Sequence, residues 1–417
     1  MKARYFYGYN IVAASFVIQG VSIGALFTYG VFFKEFQAEL GWSRAMISGA
    51  SSLAFFIMGA AGILAGRLND RTGPRILIVV SGICLGLGYL LMSRLQAPWQ
   101  LYLLFGVLGG IGFSTHDVIT LSTVARWFVK RRGMMTGIVK VGTGAGQLLV
   151  PLIAAALIAV YGWRKSYLII GCLALAALVA AARLLHRDPQ GKGLLPDGNR
   201  QENCQKDCSF QEGGLPLRAA VRMGQFWTLC LMEFAIFFCL LTIVVHIVPH
   251  ATDLGLAPAT AAGVLSTIGG VSMLGRFVMG AANDRIGGKR SLIICTIILL
   301  GALIWLQLAK NTWMLFCFAV ICGFAHGGFF TVVSPTVAEL FGTGSHGTLF
   351  GIVLFCGTTG GAIGPLLAGH TFDLTGSYRM VFLVLFVLTL IGFVLIIRLR
   401  PIAAGGRQAN RLPAVPN

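Results

Sequence analysis

The chain has 417 residues, of which 56% are hydrophobic and 11% are Asp, Glu, Lys or Arg, and its mean hydropathy is +0.82. A soluble domain carries about a quarter of its residues as charges, so a soluble enzyme, a secreted disulfide scaffold and a coiled coil are excluded. The formal net charge of +18 invites a nucleic-acid reading, which the placement of the basic residues argues against.

Apolar runs between breakers predict twelve helices, over about 8–33, 45–66, 75–95, 99–125, 133–158, 164–186, 222–249, 258–283, 290–309, 312–338, 346–371 and 378–399. Each can cross a ~30 Å hydrocarbon layer at ~1.5 Å per residue. The expected fold class is therefore an all-α membrane protein, with twelve transmembrane helices in two six-helix pseudo-symmetric bundles. The first run follows Lys2 and Arg4 and continues too far for the short apolar core of a cleaved signal, so it reads as a retained helix. The longest polar interruption, 189–218, is rich in Gly, Pro and charge and divides the helices six and six. The expected organisation is a bundle over 1–188, a cytoplasmic linker over 189–218, a second bundle over 219–400 and a cytoplasmic tail over 401–417.

If the N-terminus is cytoplasmic, 23 of the 32 Lys and Arg residues fall in segments on that side and 7 on the other; Lys140 and Arg276 remain inside helices. The positive-inside rule then expects both termini in the cytoplasm, a multi-pass chain in a cell (inner) membrane, a lipid bilayer as its surroundings and no nucleic-acid partner. Eight of the ten cysteines lie in predicted helices, where thiols behave as small apolar groups. Cys204 and Cys208 are spaced C-x3-C without a histidine cluster, so neither a disulfide framework nor a metal site is expected.

The two sets of six helices are copies of one another. Residues 66–75 (GRLNDRTGPR) match 280–289 (GAANDRIGGK), and 133–142 (GMMTGIVKVG) match 347–356 (GTLFGIVLFC). Gly41, Gly109, Gly137, Gly146 and Pro151 match Gly255, Gly323, Gly351, Gly360 and Pro365, at a constant offset of 214. A duplicated six-helix unit is the architecture of carriers that rock two bundles about a central site.

The loop from Gly66 to Arg75 resembles the G-x-L-x-D-R-x-G-R-R signature of the major facilitator superfamily, and Asp284, Arg285 and Gly287 repeat it. Trp127, Phe128, Val129, Lys130, Arg131 and Arg132, followed by Gly137 and Gly142, resemble the signature with which monocarboxylate transporters begin their fifth helix. Gly41-Trp42-Ser43-Arg44-Ala45 and Gly275-Arg276 with Gly280 are similar to bacterial members of that group and to the related oxalate/formate exchangers. The resemblance implies a transporter of small organic carboxylates such as lactate or pyruvate, often with a proton, and no enzyme activity. It also implies that Arg276 binds substrate, since an arginine at this place in the eighth helix does so in the family. Vertebrate-type members carry a lysine in the first helix and an aspartate four residues before that arginine. The matching residues here are Phe27 and Ser272, so proton coupling by that pair is not expected. The cation that the oxalate type carries in its eleventh helix is absent from 346–371.

Ionisable residues inside helices cost a few kcal/mol unless they meet a partner or a polar cavity. Arg276 is ~12 Å from the end of its helix, and its repeat counterpart is Gly62, so the scaffold itself does not require the charge. Arginine grips a carboxylate through two hydrogen bonds and keeps its charge; the competing reading is an internal ion pair, with Glu339. Lys140 and Asp117 are level in the hairpin of the fourth and fifth helices. Lys140 is a second anion-attracting charge, a structural partner of Asp117 or a snorkelling lysine. Asp117 is the first candidate to carry a proton, and Glu233 in the seventh helix is the rival. His326 in the tenth helix, His116 beside Asp117, His246 near the outer end of the seventh helix and Ser272 one turn before Arg276 complete the candidate substrate-binding set. Asp70, Arg71, Asp284 and Arg285 are the gating candidates. No cofactor is expected. Dicarboxylate or oxalate/formate-type exchange, and drug efflux by the same fold, are the alternatives to symport.

Overall fold

The computed structural model describes residues 6–198 and 214–400. Lys2, Arg4, Cys204, Cys208, much of the expected linker and the tail over 401–417 lie outside the described residues. Eleven helices are long and apolar enough to cross a membrane, and there is no strand among the described residues. One of these helices, Arg132–Leu184, has 53 residues and is interrupted at Gly162, where φ is 74° and ψ is 162°. Only glycine enters that region freely, and the chain reverses there, so twelve crossings result.

The crossings are α1 (Gly8–Leu40), α2 (Arg44–Thr72), α3 (Pro74–Met92), α4 (Pro98–Trp127), α5 (132–161) and α6 (163–184) in the first half. The second half holds α7 (Gly224–Asp253), α8 (Pro258–Ile286), α9 (Gly288–Leu308), α10 (Thr312–Phe341), α11 (His346–Thr375) and α12 (Arg379–Arg398). Local chemistry sets several ends. Pro74, Pro98 and Pro258 open their helices, where the missing N–H is no loss. The Ser43 hydroxyl caps α2 by accepting from Met46 N at 3.2 Å. Gly73 and Gly287, related by the repeat offset, have φ of 87° and 83° and make the same tight turn in each half.

Several helices run past their predicted ends, α2 to Thr72 rather than about 66, and two departures have a physical cause. α1 runs on to Leu40 rather than ending near 33, because Lys34, Glu35, Gln37 and Glu39 are good helix formers once the apolar run stops. Glu39 is held there by Arg164 Nη2 at 2.8 Å. α4 is wound as a π-helix over Tyr102–Gly109 and interrupted at Ser114. The wider turns rotate the face that His116 and Asp117 present.

Helix backbones meet at glycines. α1 lies along α5 through Gly20, Gly142 and Gly146, α8 along α10 through Gly275 and Gly327, and α7 along α11 through Gly360 and Gly364. The main contacts between the halves are α2 with α11 and α5 with α8, and α10 and α11 also touch α4. A Cβ on Gly137 of α5 would lie 2.6 Å from the carbonyl oxygen of Arg276, so a side chain there would push the halves apart.

Candidate functional site

The described parts of the chain between α6 and α7, 185–198 and 214–223, lie on one end of the bundle, here the linker face, and two carboxylates close that face. Asp70 Oδ1 accepts from Arg126 Nη2 at 2.8 Å and from Gly347 N at 3.0 Å. Its Oδ2 accepts from Thr348 N and Thr348 Oγ1, both at 2.8 Å. The first N–H groups of a helix have no partner within it, so an acid of the first half caps α11 of the second. Asp284 does the same in reverse, accepting from Gly133 N at 2.5 Å and Met134 N at 2.8 Å at the start of α5. Arg71 and Arg285 are exposed beside these caps. The cation that meets Asp70 is Arg126, which sequence reasoning counted only as a basic loop charge.

A second cluster lies deeper, where the halves face each other. Lys140 Nζ donates to Asp117 Oδ1 at 2.6 Å, and His116 Nε2 lies 3.3 Å from Asp117 Oδ2. Gln19 of α1 donates to Asp117 Oδ1 at 2.8 Å and in turn accepts from Thr143 Oγ1 at 2.6 Å. Asp117 and Lys140 are 7% and 6% exposed, so this pair is isolated from bulk water. Gln19 and Thr143 were not singled out from the sequence; a lone amide in the apolar first helix was the available signal.

Arg276 crosses from the second half to meet this group. Its Nη1 donates to the backbone carbonyl of Lys140 at 2.7 Å, and the guanidinium lies against Gly144 of α5. Its Nε has no hydrogen-bond partner, and no carboxylate lies within ion-pair distance among the described residues. Glu339, its conceivable partner, instead accepts from Gly288 N at 2.8 Å at the start of α9. Glu233 is buried on α7 with Oε2 unpartnered, and His326 Nδ1 is likewise unpartnered. Electrostatically, Glu233 senses Lys140 and Asp117, while His326 senses Arg276 and Lys140. Such unpaired buried groups cost free energy until a partner arrives.

The remaining candidates sit apart or face inward differently. Ser272 Oγ donates to Gly269 O of its own helix at 2.7 Å. His246 lies between Tyr378 Oη at 3.1 Å and Pro365 O at 3.0 Å, bridging α7, α11 and the start of α12. A concavity of about 910 Å³ near the far ends of α8 and α10, lined by Leu256, Thr260, Lys310 and Phe316 among others, includes none of the deep cluster. There is no group of three or more His, Cys, Asp or Glu placed to hold a metal among the described residues.

The model of the Major Facilitator Superfamily matches residues 15–280 and 251–414. The chain belongs to the major facilitator superfamily. It is a membrane transporter and not an enzyme. Rat monocarboxylate transporter 13 is 28% identical to it over 393 residues, 91% of this chain and 85% of its own length. Rat monocarboxylate transporter 1 is 26% identical over 396 residues, 89% and 80% of the two chains. The Escherichia coli uncharacterized MFS-type transporter YhjX is 26% identical over 343 residues, 81% and 82%. Among solved structures, the E. coli fucose:proton symporter FucP matches with a TM-score of 0.69 at 16% identity, over 93% of this chain and 97% of its own. The human organic anion transporter MFSD10 matches at 0.68 and 16%, over 93% and 99%. At such identities the structural likeness speaks for the fold alone.

Proposed function

We propose that this transporter moves a small organic monocarboxylate, such as lactate or pyruvate, together with a proton across a cell (inner) membrane, with the linker face in the cytoplasm. The observation that carries the reading is Arg276, a buried guanidinium at the contact of the two halves with an unpartnered Nε and, among the described residues, no carboxylate within ion-pair distance. A carboxylate offers two acceptor oxygens to such a fork, and an anion bridging Arg276 and the first bundle would favour the state in which the halves close around it. Names of the monocarboxylate transporters among the relatives support the same substrate class. The far face is then the entry side while the Asp70 and Asp284 caps hold the linker face shut, and releasing both caps delivers the substrate.

Exchange of a dianion would need Lys140 as a second free cation. Asp117 already neutralises Lys140 at 2.6 Å, which favours a single carboxylate. The test is uptake of radiolabelled L-lactate into proteoliposomes. Arg276→Ala should lower the initial rate about 100-fold, and Arg276→Lys should recover little of it, because a point charge lacks the fork. Wild-type uptake by folded Arg276→Ala would overturn the reading, and uptake of oxalate or succinate in preference to lactate would replace symport by exchange.

A further inference from the structure

The geometry points to Glu233 as the proton-binding group of the transport site, with Asp117 serving as the fixed counter-ion of Lys140. This rests on Arg276 being the anion site. Glu233 is 1% exposed and its Oε2 has no hydrogen-bond partner. Its stem packs on α11, where a Cβ on Gly357 would come within 2.8 Å of Glu233 Cγ. Asp117, by contrast, is ion-paired: its Oδ1 accepts from Lys140 at 2.6 Å and from Gln19 at 2.8 Å. A carboxylate that must take up and release a proton in every cycle cannot be held by a lysine, and of the two carboxylates in this cluster Asp117 is paired with Lys140 while Glu233 has no ion pair.

The charged and titratable groups facing Glu233 come from several helices. Lys140 of α5 and Asp117 of α4 face it across the contact of the halves, Cys356 lies on α11, and Cys230 is one turn away on α7. Arg276 is the charged side chain at this depth on α8, His326 is the titratable one on α10, and α12 carries titratable side chains only at Arg379 and Arg398, its ends.

The formal charges then couple proton to anion. Lys140 and Arg276 are positive and Asp117 is negative. Protonating Glu233 removes one negative charge from the cluster, whatever charge the neighbouring histidines carry. That one-unit rise is what a single carboxylate cancels. A water-poor site is most stable when its charges cancel, so the proton and one monoanion bind together and leave together, and their joint movement is electrically neutral.

Two measurements test this on the full-length protein in lipid. In infrared titration, the carbonyl stretch of a protonated carboxylic acid should fade as the pH rises in the wild type. That signal should be missing from Glu233→Gln and retained in Asp117→Asn; its survival in Glu233→Gln, or its loss in Asp117→Asn alone, overturns the proposal. This arm needs no substrate, so it stands even if L-lactate is not carried and the carboxylate reading fails. In proteoliposomes with L-lactate as the probe, Glu233→Gln should lose uptake driven by an inward proton gradient by at least about tenfold, and the uptake that remains should no longer respond to the size of that gradient. Gradient-driven uptake by Glu233→Gln at the wild-type rate overturns the assignment without touching Arg276.

Discussion

Asp70 and Asp284, separated by the repeat offset, act on each other's half of the molecule: Asp70 caps the start of α11 and Asp284 the start of α5. Each acid meets the positive end of a helix dipole, and charged hydrogen bonds of this kind contribute about 1–3 kcal/mol. Asp70→Asn also leaves Arg126 buried without its 2.8 Å partner. The linker face should then open about 5- to 150-fold more often. Amide hydrogen exchange at Gly347 and Thr348 reads this directly and should accelerate by the same factor, with Asp284→Asn doing likewise at Gly133 and Met134. Unchanged exchange in both variants would remove the caps from the gating mechanism.

The ion pair of Asp117 and Lys140 allows a cycle of substitutions drawn from the protein itself. Their counterparts in the second half are Thr331 and Leu354, which serve the same scaffold without charge. Asp117→Thr or Lys140→Leu alone strands a buried charge, a loss of about 3–5 kcal/mol. The double variant removes both charges and should be more stable than either single one in thermal unfolding. Additive losses would mean that the two side chains contribute independently, and that the 2.6 Å contact is incidental to stability.

Apolar runs, breakers and the constant offset made the twelve crossings and their duplication legible, because each is a property of the chain in one dimension. The level placement of Asp117 and Lys140 was also legible, since both are equidistant from the loop that joins their helices. Gln19 and Thr143 were not, because a single polar residue in an apolar helix reveals its facing only once the neighbouring helix is known. Arg126 was hidden in a basic segment that topology alone explains, and its partner lies 56 positions away. The π-turns of α4 leave no trace in a sequence without polar periodicity, although they orient Asp117.

Close backbone contact between the halves makes a second prediction about gating, independent of charge. A Cβ on Gly66 of α2 would run into the carbonyl of Gly347 on α11, and a backbone carbonyl cannot swing aside as a side chain does. Gly66→Ala should therefore separate α2 from α11, speed hydrogen exchange at the start of α11 and slow the transport cycle. Gly301 of α9 has nothing within 4 Å of its Cβ position, so Gly301→Ala should leave transport unchanged and gain up to about 1 kcal/mol of helix stability. Equal effects of the two substitutions would place the cost in helix propensity rather than in the contact.

His246 separates structural from transport roles in the second half. Pro365 O can only accept, so the ring nitrogen 3.0 Å from it donates, and in the neutral imidazole the other nitrogen accepts from Tyr378 Oη at 3.1 Å. Both ring nitrogens are thereby used to tie α7 to α11 and α12, leaving none to address a carboxylate. His246→Ala should lower stability by about 1–3 kcal/mol through the stranded polar partners, and Tyr378→Phe by about 1 kcal/mol. Neither should move the KM for L-lactate. A tenfold rise in KM with unchanged stability would return His246 to the substrate path, because only a group that meets the anion changes its binding without loosening the helices it joins.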